Sequence, residues 1–559
     1  MFDNPRSPGD PGFRPEGLTR RLRDKVRAAG YGSQLYAYTL KGRAPPGLAA
    51  APVDPWPGDP EVGNALFQGR FAFAGRELVI PNQTPWTVAP PSPAWAAELH
   101  GFAWLRHFSA CAGTTARRHA RELVRAWIGQ AGGWEAVSWR PEVLARRLVS
   151  WLCHSGFLLE GADGAFREAL LASLAEQSRH LSRSAAEAED GLPRLAAAAG
   201  LTVCRLCLPS TPRAHQRGLK LLLRELARQL EDDGVHASRN PSAQLAALND
   251  LVLVRDTLLA TGLETPQELS QAIARMAPML RFFRHGDGGL GVFNGGAEES
   301  STPIDATLAR AAIAGRPPPQ APTGGYQRLA AGRTLLLVDA GGPPSRRFSA
   351  AASAGSLSFE LSVAKERLIV NCGAARDPGG EWARVARSTA AHSTLTLADT
   401  NSCEIGADGL IGRRPGEVAC RRFEEGGNLW LELSHDGYVD AFGLVHERRL
   451  YLDASGADLR GEDAIRGSGK KGGAGLAFAV RFHLHPGVRA SLVADRSAAL
   501  LRLPSGAGWR LRVTGGALAL EESVYLAAGE PRRAEQLVVS GRLRPTEARV
   551  KWALSRAEG

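Results

Sequence analysis

Helical periodicity dominates the first half of the chain. Between Trp95 and Phe283, about eight segments repeat apolar residues at i, i+3, i+4 and i+7, which predicts amphipathic helices. Short loops join these segments, so we expect paired helices wrapped into an incomplete α/α toroid with a groove on one face. Proline favours the first turn of a helix and stands at four of the predicted starts: Pro141, Pro193, Pro241 and Pro266.

Beyond Tyr326 the period of the apolar positions changes from 3.6 to 2. Short segments such as "RTLLLVDA" and "FAVRFHLH" alternate with turn residues, a pattern typical of a large antiparallel β-sandwich. Helices come first and strands second, which favours two successive domains over a doubly wound α/β fold. The predicted fold class is α+β multidomain: an N-terminal incomplete α/α toroid followed by a large antiparallel β-sandwich.

Composition divides the chain further. Proline and glycine dominate residues 1–16, which predicts a disordered N-terminus. A short basic helix, Leu18–Ala29, and strand-like pieces such as Phe71–Ile80 follow, and "AGRPPPQAPTGG" is the clearest linker. The predicted divisions are a disordered N-terminus 1–16, an extension 17–94, the toroid 95–313, the linker 314–325 and the β-sandwich 326–559.

The chain is strongly basic, and all but seven of its 68 basic residues are arginine. A formal net charge of +11 suits an acidic partner, and guanidinium groups pair well with carboxylates. A GC-rich genome is an equally good explanation of the arginine bias. Nucleic acid is not an expected partner, because the arginines are dispersed without a basic tail or a recognition motif.

The stretch Ala354–Thr400 combines two strand patterns with a polar loop. Apolar and polar residues alternate in Leu357–Leu361 and in Ser393–Leu397, which predicts half-buried strands. His392 stands at the start of the second strand, and the loop between the strands carries Trp382 into the same neighbourhood. A histidine satisfied at a strand edge is the alternative interpretation of His392.

This stretch, with its "AHST", resembles the signature of the heparinase II/III-type polysaccharide lyases. The resemblance implies a carbon–oxygen lyase that cleaves an acidic, uronate-containing polysaccharide by β-elimination, with His392 beside the scissile sugar. Such an enzyme must neutralise the C6 carboxylate, remove the C5 proton and protonate the departing O4. A histidine can serve in the first two steps because its pKa lies near 6.5.

A second run, "EDDGVHASRNPSAQ", resembles another stretch of the same lyases but departs from it. The catalytic tyrosine of the family would fall at Ala243 and the following histidine at Gln244. His236, Arg239 and Asn240 remain as polar groups. Within this resemblance, His236 is a candidate catalytic residue. Arg239 is expected to bind the substrate carboxylate, and Asn240 is expected to hydrogen-bond the enolate-like intermediate. Helix capping by Asn240 and a solvated Arg239 are the alternatives.

The Asn-His pair that clamps the uronate in these lyases is also replaced. By hand alignment its positions fall at Leu192 and Pro193. Tyr326, just after the linker, is the substitute acid or base that the sequence offers, although a tyrosine packed in the domain interface is the alternative.

Further residues could bind substrate. The glycine-rich run "RFFRHGDGGLGVFNGG" is interpreted as a groove-lining loop that carries His285 and Asn294 toward sugar hydroxyls, and Trp382 is expected to join them. A plain connecting loop is the alternative.

No cofactor is expected to be required, and a structural divalent metal in the β-domain stays open. Arg481, His483 and His485 alternate onto one strand face, and His435, Asp436 and His446 are further possible ligands. A polar strand face without metal is the simpler interpretation.

The sequence therefore indicates two candidate functions. The first is a polysaccharide lyase, and the second is a catalytically degenerate glycan-binding or cell-envelope assembly protein of the same architecture. The resemblance implies the cell envelope or periplasm, whereas the lack of a visible signal peptide favours the cytoplasm. No transmembrane segment is predicted, and the sequence leaves the oligomeric state open.

Overall fold

The computed structural model of this protein describes residues 26–557 except 82, 112, 378, 468–473 and 545–546. The predicted disordered N-terminus, 1–16, lies outside the described residues, as does most of the predicted helix Leu18–Ala29. The described chain begins in a helical segment, α1, at residues 26–31.

Helices follow α1 as far as residue 311. They are α2 (Gln34–Leu40), α3 (Pro60–Phe67), α4 (Pro93–Gly101), α5 (Leu105–Ala110), α6 (Thr114–Gln130), α7 (Pro141–Cys153), α8 (Ser155–Leu159), α9 (Gly164–Ser184), α10 (Leu192–Cys207), α11 (Pro212–Gln229), α12 (Pro241–Ala260), α13 (Gln267–Phe282) and α14 (Ser301–Ala311). Short 3-10 helices cover Pro85–Thr87, Ala185–Glu187, Arg346–Phe348 and Thr389–Ala391.

These helices form two layers. α4, α7, α10 and α12 pack one against the next as an inner layer, and α6, α9, α11 and α13 pack outside them. The sequence dictates this placement: most residues of α10 are buried, whereas α11 buries one stripe and exposes a charged face. This is the predicted incomplete toroid.

The first predicted toroid helix is divided in two. Phe102 adopts φ +57 and ends α4, and α5 begins at Leu105. The ring of Phe102 is fully buried and packs against Trp104 and Trp151. Aromatic packing at this corner therefore overrides a helical period that runs on through it.

Strands occupy the rest of the chain, apart from a hairpin, β1 and β2, in the N-terminal extension. The strands are β1 (Arg70–Phe73), β2 (Arg76–Val79), β3 (Gln320–Ala321), β4 (Tyr326–Ala331), β5 (Thr334–Asp339), β6 (Phe359–Val363), β7 (Glu366–Val370), β8 (Leu395–Leu397), β9 (Val418–Glu425), β10 (Asn428–Tyr438), β11 (Leu444–Leu452), β12 (Asp458–Gly467), β13 (Ala477–Leu484), β14 (Arg489–Leu492), β15 (Ala498–Arg502), β16 (Gly508–Thr514), β17 (Ala517–Tyr525), β18 (Arg532–Arg542) and β19 (Glu547–Arg556). Two four-residue helices, α15 (Trp382–Val385) and α16 (Val439–Phe442), interrupt them.

The strands of the C-terminal domain build two antiparallel sheets. An eight-stranded sheet has the order β14-β15-β16-β19-β12-β11-β10-β9. A nine-stranded sheet has the order β17-β18-β13-β7-β6-β5-β4-β3, with β8 also paired to β13. Their inner faces share one apolar core, in which the rings of Phe359 and Trp552 stack at 5.6 Å. The predicted sandwich is confirmed. Part of the predicted linker, Gln320–Ala321, is strand β3.

The outer face of the nine-stranded sheet is covered by the toroid. Leu336 and Val338 of β5 lie in the sandwich core, whereas Leu335 and Leu337 lie in the helical core. One strand thus contributes to both cores, which explains its unbroken apolar run.

The burial of β6 and β8 corrects the expectation of half-buried strands in Ala354–Thr400, and the toroid covers the polar face of β6. Residues 359–362 of β6 and all of β8 are buried on both faces, including the polar side chains of Glu360, Ser362 and Thr396. A period of 2 distinguishes the two faces of a strand, but it cannot tell a solvent-facing polar side from one covered by another domain.

None of the helices in the described part of the chain combines the length and hydrophobicity needed to cross a bilayer.

Candidate functional site

A buried ion pair joins the two domains at the place where the sequence predicts substrate contacts. The Arg239 Nη2 donates to Asp339 Oδ1 at 2.6 Å and to the Gly325 carbonyl at 2.8 Å. Its Nε and Nη1 donate to further carbonyls, those of Gly324, Gly341 and Gly342. Arg239 borders an interdomain cleft of about 340 Å³, yet each guanidinium nitrogen is already bonded to protein. It therefore ties the domains together and presents no free N–H group to a substrate.

Tyr326 belongs to the same cluster. Its hydroxyl donates to the Arg239 carbonyl at 2.5 Å and accepts from Asn294 Nδ2 at 2.9 Å. The Arg239 guanidinium lies over the ring, 4.6 Å from its centroid. Burial raises the pKa of the Tyr326 hydroxyl well above its ordinary value. Tyr326 thus lies in the domain interface, the alternative given for it above. Asn294, which was expected to face sugar hydroxyls, bonds Tyr326 and Asp339 instead.

His285 forms a second buried cluster across the interface. Its ring lies between Ser362 Oγ at 2.8 Å and Glu360 Oε2 at 3.0 Å. Burial, helped by the Arg367 charge, lowers the pKa of His285. Burial would raise the pKa of Glu360, but the His285 hydrogen bond and nearby charges outweigh it. A neutral His285 that donates to an ionised Glu360 satisfies both groups, so His285 does not face a sugar.

His392 is the residue on which the lyase interpretation depends most. Its Nδ1 lies 2.7 Å from the Ser388 carbonyl, so Nδ1 carries the proton and Nε2 is left with a lone pair. The ring packs against Gly355, where an added Cβ would lie 2.6 Å from it. Burial lowers the pKa of His392 to about 4, and the side chain is only 4% exposed. It is a neutral, enclosed imidazole.

The start of α12 carries structural side chains in place of the expected catalytic ones. Asn240 Oδ1 accepts from the backbone N–H groups of Ser242 and Ala243, so it caps the helix. Gln244 donates to the Gly234 and Met276 carbonyls and accepts from the His236 N–H at 2.7 Å. Ala243, the position at which the resemblance places the family's tyrosine, has no hydroxyl group.

His236 is held in the same loop. Its ring nitrogens lie 2.7 Å from Ser238 Oγ and 3.1 Å from Gln229 Oε1, and the side chain is 1% exposed. Burial lowers its pKa to about 4. Both nitrogens are therefore used within the protein.

Trp382 lies apart from these clusters. It is 37% exposed on α15 and lines a small cleft of about 170 Å³ beside the β1–β2 turn. The ion pair of Arg76 and Asp377, at 2.7 Å, borders that cleft. The structure therefore gathers Arg239, Tyr326 and Asn294 together, but does not bring Trp382 to them.

The inner helices and part of the N-terminal extension line a cavity of about 580 Å³, which we call the lumen. Alanine and glycine form much of its wall, and Leu192 lines it at the position expected for the family's clamp. Four carboxylates but only two guanidinium groups line it: Asp54, Glu98, Asp250 and Glu299, with Arg106 and Arg146. Burial, opposed by Arg146, raises the pKa of Asp250 to about 6. The lumen is acidic.

The possible metal ligands of the β-domain are dispersed. His446 joins His435 at 3.2 Å and Asp463 Oδ1 at 2.8 Å, and Asp463 is also paired to Arg448. His483 contacts Ser523 and the Ala390 carbonyl instead. Within residues 26–557 as described, no group of three or more His, Cys, Asp or Glu side chains could hold a metal ion.

The chain resembles known proteins in both sequence and fold. Residues 313–553 match the family described as "Heparinase II/III-like, C-terminal". The chain is 36% identical to "FtsZ-localized protein C" of Caulobacter vibrioides over 545 residues, 95% of this chain and 94% of that protein. The chain belongs to the heparinase II/III-like family.

Solved structures show the same architecture for this heparinase II/III-like protein. A crystal structure of heparinase III matches with a TM-score of 0.70 at 14% identity, covering 97% of this chain and 91% of that one. A mutant of the heparan sulfate lyase HepC from Pedobacter heparinus matches with a TM-score of 0.61 at 18% identity and the same coverage. At these identities the likeness confirms the fold class alone.

Sequence reasoning missed three acidic residues of the heparinase II/III-like protein, two of them buried and the third, Asp250, in the wall of the lumen. Asp339 and Glu360 end or interrupt apolar strands, and Asp250 interrupts an apolar helix. A lone carboxylate within an apolar run is a usable signal, because such a group needs a partner or a cavity.

Replacing Arg239 tests the interface role. Arg239→Met leaves Asp339 buried without its partner, so we expect a loss of about 3–5 kcal/mol in the free energy of unfolding. Arg239→Met combined with Asp339→Leu should recover much of that loss. Urea unfolding monitored by tryptophan fluorescence measures both. If Arg239→Met alone were as stable as the parent, Arg239 would not hold the two domains together.

The buried histidines predict acid sensitivity. The folded-state pKa of His236 is about 4, below the ordinary 6.5, so the unfolded chain binds the proton first. Stability is therefore unaffected above about pH 6.5, falls as the pH drops toward 4, and carries the full penalty below 4. His236→Gln should remove about 2 kcal/mol of the difference in unfolding free energy between pH 7.5 and pH 5. An unchanged pH dependence would refute this.

Proposed function

We propose that this protein is a non-cleaving member of the heparinase II/III-like family that acts where FtsZ assembles. The observation that carries the proposal is the absence, among the described residues around His392 and α12, of a proton-transfer pair. Ala243 and Gln244 replace the expected tyrosine and histidine, and Tyr326 is engaged by Arg239 and Asn294. A β-elimination needs both a base and an acid in reach of the sugar.

The charge of the lumen supports the same proposal. Neutralising a uronate carboxylate requires donors or cations, but the lumen holds an excess of carboxylates and Leu192 at the clamp position. Like charges repel a polyuronate from such a cavity. The overall charge of +11 therefore does not favour an acidic substrate at this place.

The link to FtsZ comes from the relative named "FtsZ-localized protein C". The similarity extends over 95% of this chain, so it includes the toroid and the sandwich alike. Because the similarity extends over both whole chains, a role shared by the two proteins explains it more simply than a single domain in common.

Polysaccharide cleavage is the second candidate, and one observation favours it. Nε2 of His392 keeps its lone pair and has no hydrogen-bond partner among the residues that the structure describes. A neutral imidazole of this kind can accept a proton. It would still need an acid from a group other than Ala243.

An absorbance assay separates the two candidates. The protein is incubated with heparan sulfate, hyaluronan and alginate, and the unsaturated uronate is followed near 232 nm. We expect flat traces for the parent protein and for His392→Ala alike, with an active heparinase as the positive control. A signal in the parent that disappears in His392→Ala would establish the lyase instead.

Localisation tests the other half of the proposal. A fluorescent fusion of the full chain, expressed in Caulobacter vibrioides beside labelled FtsZ, should coincide with FtsZ, whereas the free fluorophore should be uniform. A uniform distribution of the fusion would refute the proposed role. The same images and cell fractionation report whether the protein lies in the cytoplasm or the envelope, which the sequence left open.

A further inference from the structure

The outer face of the eight-stranded sheet, opposite the sandwich core, carries a groove of about 780 Å³. Strand register arranges its side chains in two parallel rows that cross six strands. The first, the aromatic row, is Phe423, Trp430, Tyr451, Arg460, Ala553 and Arg512. The second, the charged row, is Arg421, Glu432, Arg449, Glu462, Lys551 and Thr514.

The charged row partly neutralises itself. Glu432 lies 3.9 Å from Arg421 and 3.4 Å from Arg449, and Glu462 lies 3.8 Å from Arg449 and from Lys551. Arg549, outside the row, lies 3.3 Å from Glu462 as well. Four cations therefore face two carboxylates, and two positive charges are left over. Exposed pairs of this kind contribute little stability, and they remain open to exchange with a partner's charges.

The aromatic row is not needed for the core. Phe423 is 43% exposed, and the rings of Trp430 and Tyr451 lie side by side at 5.0 Å. Trp430 and Tyr451 are half-buried, so the row presents one exposed and two partly exposed aromatic side chains. A contiguous aromatic row bordered by charges is typical of an interaction site rather than of a solvated sheet face.

Positive charge accumulates at the other end of the groove. Strands β14, β15 and β16 place four arginines on this outer face: Arg489, Arg502, Arg510 and Arg512. None of the four has an ion-pair partner among the described residues. Of these four, Arg512 lines the groove, and the other three lie beyond it on the same face. The groove therefore runs from an aromatic end at Phe423 to an end at Arg512 that borders a cationic surface.

We propose that this groove docks an extended acidic segment of a protein partner, with apolar side chains at the aromatic end and carboxylates at the arginine end. Charge complementarity with the unpaired arginines selects acidic residues. Five strand spacings of about 4.8 Å separate Phe423 from Arg512, roughly 24 Å, which an extended segment of about seven residues spans.

The ring geometry favours a peptide over an acidic glycan. A sugar binds to a free ring face, but Arg421 lies over the Phe423 ring at 5.2 Å and Arg460 over the Tyr451 ring at 5.8 Å. The Trp430 and Tyr451 rings are also inclined by 47°, so they form no flat platform. Small apolar side chains fit between such rings, and carboxylates can bind the exposed edges of the guanidinium groups.

Fluorescence anisotropy with a labelled random copolymer of glutamate and tyrosine tests the proposal on the full chain. Trp430→Ala and Arg512→Glu, each checked for folding by circular dichroism, should each weaken binding about tenfold. The control Arg224→Glu makes the same charge change on the exposed face of α11 and should alter the Kd less than about twofold.

Each other result overturns the proposal. If no binding is seen at a protein concentration of about 100 μM, roughly a thousand times the Kd of a tight interaction, the groove does not dock an acidic segment. An equal loss in Arg224→Glu and Arg512→Glu indicates general attraction to the basic chain. Heparin binding that depends on Trp430 as strongly as copolymer binding does would assign the groove to an acidic glycan.

Discussion

The structure depends on burying a polar sheet face between two domains. The outer side of the nine-stranded sheet carries Asp339 and Glu360, and the toroid covers both with Arg239 and His285. Neither carboxylate could stay buried without its partner, because an isolated charge in a protein interior costs several kcal/mol. The Arg239–Asp339 ion pair and the His285–Glu360 hydrogen bond therefore fix how the toroid sits on the sandwich, while the leucines of β5 supply the apolar area on both sides of the strand.

This constraint also limits the chemistry. The side chains that a lyase would turn toward a sugar are the ones that hold the domains together here. Arg239 bonds carbonyls from the β-domain, Tyr326 bonds the Arg239 backbone, and His285 bonds Glu360. Freeing any of them would leave a buried group without a partner, so the interface and a catalytic cleft compete for the same residues. Under the proposed function, the interface occupies the residues that a cleaving step would need.

Two concave surfaces lie away from the interface between the domains: the lumen of the toroid and the groove on the outer sheet. The lumen is concave, enclosed by small residues and acidic, whereas the outer sheet groove is open, aromatic and cationic at one end. Opposite charges at two sites of one basic chain mean that the net charge describes neither of them. This distribution of charge agrees with the proposed functions, in which the protein retains the lyase fold and binds a partner through the outer sheet groove.

The sequence by itself determined the order of the domains, the toroid, the sandwich and the family, because helical and strand periods and the run around His392 are local properties. It also nominated Asn240 as a helix cap and Tyr326 as an interface residue, as alternatives that the structure matches. The partners of Arg239 and His285 were decided only by the tertiary structure. Each lies on, or packs against, a segment far away in the chain, and no spacing encodes which buried carboxylate or carbonyl a side chain will meet. The polar face of β6 is the clearest example, because alternation marked Glu360 and Ser362 as a separate face but only the docked toroid made that face an interior.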